Sequence, residues 1–232
     1  MTRLSPLTLY SALVVRSPFD DGLLEGYRRR FGDLCIHWNP TSVLMENIAN
    51  GQLCDLVIVT DPAMEQLIAQ GIADPATRRP LVVSRIGFAV RKGAPHVDVS
   101  DREQLIKTLR AARSLCYSTG GASGIHFKTV LQMLGIEQEI DAKACPIAEG
   151  FTAEKLLSGD ADLAIQQVSE LLAVPGVEIT GDLPADLQKS TSFSIARCFH
   201  SEHQQQAAAL TEIVTSPDAA ARYEKFGLQS QN

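Results

Sequence analysis

Nowhere does the 232-residue chain approach the ~20 consecutive apolar residues that a membrane helix requires. Basic runs are scarce as well. Lys and Arg total 21 against 27 Asp and Glu, a net charge of −6. The cluster Arg28-Arg29-Arg30 follows Leu23, Leu24 and Tyr27 at helical spacing and reads as a solvated helix end. Phosphate backbones need clustered cations, so nucleic acid is excluded as the expected partner. Cysteine is sparse too. Cys35, Cys54, Cys116, Cys145 and Cys198 are odd in number, and none belongs to a C-x-x-C pair. That argues against a zinc knuckle or a redox dithiol and for small core thiols in a reducing compartment. There is no G-x-S-x-G elbow, no Gly-Lys-Ser/Thr phosphate loop and no pair of histidines four apart with a glutamate beside them. His37, His96 and His126 are dispersed, and His200 and His203 flank Glu202 in a polar stretch read as solvated surface. No metal and no cofactor are expected.

The N-terminus offers little to an export signal. Ser5-Pro6 interrupts the start, Arg16 and Asp20-Asp21 follow closely, and no small-x-small site appears. Leu7–Val15 is therefore read as the first strand and the protein as cytoplasmic, or as periplasmic if a signal has been removed.

What is present is an alternation of strand and helix signals. Strands are expected at Leu7–Val15, Leu34–Trp38, Leu56–Val59, Leu81–Val90, Ser114–Tyr117, Ala142–Ile147, Leu163–Gln166, Val177–Ile179 and Thr191–Arg197. Helices are expected at Asp20–Arg30, from Thr41 or Ser42 to Gly51, at Pro62–Gln70 with Asp61 as cap, Asp101–Ala111, Gly124–Leu134, Thr152–Ser158, Val168–Ala173, His203–Val214 and Ala219–Phe226. The rhythm implies an α/β fold with parallel sheets covered on both faces. Ser84–Val90 and roughly Gln188–Ser194 read as crossings between two lobes. The expected lobes are residues 1–83 with 190–232, and 84–189. Ligands would then bind in a cleft where strand ends and helix N-termini meet.

Several junctions carry the chemistry. Ser118-Thr119-Gly120-Gly121-Ala122-Ser123-Gly124 follows a strand and opens a helix, where backbone N–H groups and the helix dipole favour an anion. Asn39-Pro40-Thr41-Ser42 places two hydroxyls at another helix start, and Glu149-Gly150-Phe151-Thr152 forms a third junction. Ser11-Ala12 is a weaker fourth. Arg85 interrupts an apolar segment at the first crossing, and its planar fork suits a carboxylate. Gln166 and Gln167 end a strand where amides could orient a ligand. His126, in the candidate loop, is the first choice for proton transfer, with Glu149 and Glu170 behind it.

The order of motifs resembles the type 2 periplasmic-binding-protein fold, two doubly wound lobes around a ligand cleft, and within it the molybdate-type solute-binding family. The carriers are Leu9-Tyr10-Ser11-Ala12, Pro40-Thr41-Ser42, Ile48-Ala49-Asn50-Gly51, Asp55–Asp61, Ala122-Ser123-Gly124-Ile125 and Ser158–Ile165. Gly120–Ile125, Gln166–Leu172 and Val174–Val177 are similar to a branch related to aconitate isomerase. The junctions and the resemblance together give a candidate ligand set of Ser11, Ala12, Thr41, Ser42, Arg85, Ser123, Gly124, Gly150, Phe151 and Gln167. Val14 stands where the family has a serine, Gln167 where it has a tyrosine, and Ser84-Arg85 where it has an asparagine. Fewer hydroxyls and one guanidinium favour a carboxylate over a metal oxyanion. The implied activity is a cofactor-independent allylic proton shift on a small unsaturated polycarboxylate. The alternative is a non-catalytic receptor for molybdate or another small anion, serving an ABC permease or a sensor.

Overall fold

The computed structural model describes residues 6–231. Two compact units divide the chain, one running to Val83 and resuming at Ser192, the other spanning Ser84–Thr191.

In the first unit, β1 (Leu7–Ser11), β2 (Leu34–Trp38), β3 (Leu56–Thr60) and β4 (Arg79–Ser84) precede the excursion into the second unit. The second unit holds β5 (Ile86–Arg91), β6 (Leu115–Tyr117), β7 (Leu163–Gln167) and β8 (Val177–Asp182), after which β9 (Thr191–Arg197) and β10 (Gln229–Ser230) complete the first. The first sheet has the order β10-β4-β9-β3-β1-β2, and the second β6-β7-β5-β8.

Both sheets are mixed rather than parallel. Helical crossovers make β1 parallel to β2 and β3, and β6 parallel to β7. β9 lies antiparallel to β3, with Leu56 opposite Arg197, and β5 lies antiparallel to both β7 and β8. The strand–helix rhythm marks only pairs joined through a helix, so the antiparallel partners are invisible to it.

Residue alternation explains how the first sheet is covered. Leu9, Leu56, Ile58, Phe193 and Ile195 enter one apolar layer, while Tyr10, Val57, Val59 and Ala196 enter the other. Successive side chains on a strand face opposite sides, so both faces of this sheet are buried. In the second unit Ile86, Phe88, Val90, Leu115, Leu163 and Ile165 share one core with Leu105, Leu109, Phe127 and Val130 from its helices. Asp101 caps the helix Arg102–Ala111, its carboxylate accepting from the Gln104 N–H at 2.9 Å.

Several expected elements are corrected. The single strand Leu81–Val90 is two strands in different sheets, parted at Arg85. Their apolar runs abut because both strands are buried, which hides the break. Asp20–Arg30 is broken by Gly22 at φ +90°, and a regular helix covers only Glu25–Phe31. Ala142–Ile147 makes only isolated bridges, at Ala144 and Ile147, and Pro146 between them has no N–H for a ladder. A short helix, Glu137–Asp141, precedes it. Thr60 rather than Asp61 occupies the cap of Asp61–Ala69, and Asp61 instead pairs with Arg78 at 3.2 Å.

Cysteines distant in sequence also meet. The pairing of β3 with β9 brings the buried Sγ atoms of Cys54 and Cys198 to 3.6 Å, both as free thiols. Their mutual hydrogen bond and burial push the Cys54 pKa up, so the thiol stays protonated. His203 is buried rather than solvated. Its N–H donates to the Ser201 hydroxyl, which donates in turn to the Asp55 carboxylate at 2.7 Å.

Candidate functional site

At the end of β1 the structure gives Ser11 and Ala12 structural work. Ser11 is fully buried, its hydroxyl donating to the Ala12 carbonyl at 3.0 Å and its own carbonyl accepting from Asn39. The Ala12 N–H donates to the Ile58 carbonyl at 2.8 Å. These bonds tie the ends of β1, β2 and β3 together. Thr41 and Ser42 open the helix Thr41–Ala49, but neither caps it: Pro40 is the cap residue, at φ −55°, with no side-chain cap bond. Proline's fixed φ sets the entry, leaving both hydroxyls in the first turn, Thr41 half-buried and Ser42 exposed.

The second unit gathers more. Beyond β6 the chain turns through Ser118–Gly121 into the twelve-residue helix Ala122–Met133. The Ser118 hydroxyl accepts from the Gly121 N–H at 2.9 Å. Ser123 Oγ is buried with no hydrogen-bond partner, on the same side of the first turn as Ser118 Oγ. Orphan N–H groups and the dipole make such a helix start an anion acceptor, and an unpartnered buried hydroxyl beside it adds a donor. Gly124 also has a packing task. A Cβ there would fall 1.5 Å from the Ser118 carbonyl oxygen, so Gly124 lets the helix press against the strand end.

The Gly150–Thr152 turn is held by one buried amide. Gln166, at the end of β7, accepts from the Thr152 N–H (2.8 Å) and hydroxyl (3.0 Å) and donates to the Gly150 carbonyl at 3.0 Å. Gly150 sits at φ +86°, with open space where a side chain would be. Phe151 and Thr152 are buried. The neighbouring Gln167 donates to Thr191 at 3.2 Å, and its Oε1 is buried without a partner.

Glu170 lies behind this amide, on the short helix Val168–Leu171. Burial raises its pKa from the usual 4.5 to about 8, against hydrogen bonds from the Gln167 backbone and the Gln166 side chain that favour the carboxylate. Desolvation therefore wins, and the group is mostly a neutral acid at pH 7. In the sequence Glu170 stands between Val168 and the pair Leu171-Leu172, which is the one signal of this burial.

Arg85 emerges between β4 and β5. Its side chain is 56% exposed and its Nη1 lies 3.2 Å from Asp182 Oδ2. The partner its fork requires is thus supplied by β8, a contact that sequence spacing does not reveal. His126 is half-buried, with Nε2–H donating to the Leu187 carbonyl at 2.7 Å. Glu149 is exposed.

None of the expected ligand residues lines the cavity of about 440 Å³ in the first unit. That cavity opens at the other end of the strands, among Thr8, Cys35, Cys54, Asp55, His200 and Glu202. Among the described residues no group of three His, Cys, Asp or Glu is arranged to hold a metal ion.

Two outcomes test this geometry. Gly124→Ala forces a carbon into the Ser118 carbonyl and should lower stability by about 3 kcal/mol, read as a fall in urea midpoint. An unchanged midpoint would show that the helix start is not pressed on the strand. For Glu170 the folded pKa lies above the unfolded one, so between pH 4.5 and about 8 the folded state holds a proton that the unfolded chain lacks. Its contribution is full below that window and is lost as pH rises through it. Glu170→Gln keeps the shape and the amide acceptor without the titration, so its Tm advantage over the wild type should grow from pH 5 to pH 9. Parallel Tm profiles would contradict a buried neutral acid.

Comparison with known proteins accords with this architecture. The chain is 36% identical over 183 residues to an aconitate isomerase from a Pseudomonas species, covering 78% of this chain and 70% of that protein. The periplasmic molybdate-binding protein of Azotobacter vinelandii superposes with a TM-score of 0.78 at 17% identity, covering 96% of this chain and 98% of the other. PEB3 of Campylobacter jejuni, bound to L-phospholactate, gives 0.68 at 14% identity over 96% and 99%. These likenesses establish the type 2 periplasmic-binding-protein fold. No helix among the described residues is long and apolar enough to cross a membrane. The model for bacterial extracellular solute-binding proteins matches residues 32–229, and the chain belongs to that family.

Proposed function

We propose that the protein binds a small organic polycarboxylate and interconverts cis- and trans-aconitate by an allylic proton shift without a cofactor. The observation that carries the anion site is the buried, unpartnered Ser123 hydroxyl at the start of a twelve-residue helix. The choice of aconitate rests on the 36% identity to an aconitate isomerase.

In this reading the Ser118–Ser123 turn and the backbone of Gly150 and Phe151 receive carboxylate oxygens, and Arg85 supplies a full positive charge. The Thr41 and Ser42 hydroxyls of the first unit are further proposed donors. Ser11, Ala12 and Gly124 stay in the proposed ligand set beside their packing roles, the first two tying strand ends of the first unit together and the third letting its helix press on the Ser118 carbonyl. Exposed ion pairs contribute only about 0–1 kcal/mol, so Arg85 can exchange Asp182 for a ligand carboxylate at little cost. The donors would also stabilise the enolate-like charge that develops when the methylene proton leaves. His126 is proposed to move that proton through Nδ1, since Nε2 is committed to Leu187.

A receptor without catalysis is the second reading. It is favoured by the family description and by the likeness to a molybdate-binding protein, and it calls for export and an ABC permease.

Proton NMR of cis-aconitate with the purified protein in deuterated buffer separates the two. Formation of the trans isomer with deuterium in the methylene supports the isomerase, and His126→Gln should abolish turnover while binding persists. Binding without conversion by the wild type leaves the receptor.

Arg85→Ala should weaken carboxylate binding by about 1.5–3 kcal/mol in calorimetry, and Arg85→Lys should restore only part, because an ammonium lacks the planar fork. Unchanged affinity in folded Arg85→Ala would move the ligand to an oxyanion held by neutral donors alone.

A further inference from the structure

Cysteines that look unrelated in the sequence are sorted by the fold. Cys35 is exposed, and Cys116 and Cys145 are neighbours in the second unit. Cys54 and Cys198, 144 positions apart, meet in the first unit with their Sγ atoms at 3.6 Å. We propose that Cys54 and Cys198 are a covalent modification site, where a small organic disulfide oxidises the two thiols to a bond that staples the first unit.

The backbone around both thiols is already fixed where such a bond needs it. The Cys198 N–H donates to the Asp55 carbonyl at 2.8 Å, continuing the pairing that sets Leu56 opposite Arg197. Segments paired in this way lie about 5 Å apart, inside the Cα span of a disulfide. The Asp55 carboxylate clamps both sides, accepting from the Thr8 N–H at 2.8 Å and the Ser201 hydroxyl at 2.7 Å. Closing 3.6 Å to the ~2.05 Å of a sulfur–sulfur bond is then a matter of side-chain rotation. Cys145 is placed differently, its Sγ directed to the Leu115 carbonyl at 3.6 Å.

Cys198 is fully buried, whereas Cys54 lies at the wall of two cavities in the first unit, of about 440 and 240 Å³. The larger also carries Asp55 and Glu202, which favour a cationic reagent. Cys54 is thus the entry thiol. As a thiolate it attacks one sulfur of the small disulfide, whose S–S bond breaks and releases one small thiolate. Cys198 then gives up its proton and attacks the Cys54 sulfur, displacing the second. Two thiols and one small disulfide become one protein disulfide and two small thiols, the leaving thiolates taking up both protons. The hydrogen bond with Cys198 and burial favour the neutral Cys54 thiol, so the first step is slow and quickens as pH rises.

Between the two cysteines the chain runs through the whole of the second unit, Ser84–Thr191. In the reduced protein only hydrogen bonds and packing return β9 to β3 after that excursion. A bond there closes a long loop, the case in which a cross-link restricts the unfolded chain most.

Treatment of the reduced full-length protein with cystamine at pH 8.5, followed by mapping of unreduced peptides, tests the pair. A Cys54–Cys198 cross-link is expected, with a loss of about 2 Da across the linked peptides. The exposed Cys35 should carry a cysteamine cap, which shows that the reagent is active. Tm should rise by roughly 5–15 °C, fall back with dithiothreitol and not rise in C198A. If C198A does not fold, the reversal in the wild type makes the same comparison. If the folded protein shields Cys54 from cystamine, refolding from urea in a glutathione redox buffer should give the bond by the same exchange. A lasting cap on Cys54 beside a free Cys198 overturns the proposal, as do two free thiols after refolding. So does a Cys116–Cys145 linkage with Cys54 and Cys198 unlinked, or a Cys54–Cys198 bond that leaves Tm unchanged.

Discussion

The helix that begins at Ala122 starts so close to the end of β6 that there is no room for one additional carbon at Gly124. That contact decides where the first helical turn points. With the helix pressed onto the Ser118 carbonyl, the Ser118 and Ser123 hydroxyls lie on one side of Gly121, around N–H groups that no helical carbonyl can satisfy. Ser123 is thereby buried with its hydroxyl unspent. A looser crossing would let that hydroxyl reach water or a backbone carbonyl.

The turn at Gly150 is built on the opposite principle. Space is open where a Cβ of Gly150 would sit, and the turn owes its shape to Gln166, whose amide is used at both ends. The same amide meets Glu170, so a group deep in the second unit is coupled to a turn at its surface through a handful of bonds. A glutamate ordinarily buried with a cation would be an ion pair. Among the described residues Glu170 lacks one, and burial raises its pKa to about 8.

Much of this was legible in the sequence, and the limits have physical causes. The alternation of Leu9 and Tyr10, or of Val57 and Ile58, gives strands buried on both faces, and the turns at Ser118–Ser123 and Gly150–Thr152 stand out as small residues between a strand and a helix. The family resemblance joined these turns into one ligand set. The break at Arg85 was hidden because β4 and β5 are both apolar and adjoin without a turn residue. Asp182 as the partner of Arg85, and Cys198 as the neighbour of Cys54, follow from antiparallel register, which depends on residues about a hundred positions or more apart. Gly124 reads as a ligand glycine from its motif, and the 1.5 Å that a Cβ would leave to the Ser118 oxygen adds a packing requirement that the sequence does not show.

An anion site in a chain of net charge −6 also has to answer to electrostatics. Hydroxyls, amides and helix dipoles supply the donors in the second unit, and they carry no net charge, so the surrounding acidity does not cancel them. Neutral donors accept tetrahedral oxyanions and carboxylates alike, however, and cannot by themselves choose between them. In the proposed reading a charged group can. Arg85 offers a planar fork that a carboxylate matches and a tetrahedral oxyanion matches less well, and its exposed pairing with Asp182 is weak enough to be exchanged. The proposed preference for a carboxylate therefore rests on the shape of one exposed cation, with the framework of neutral donors common to both kinds of anion.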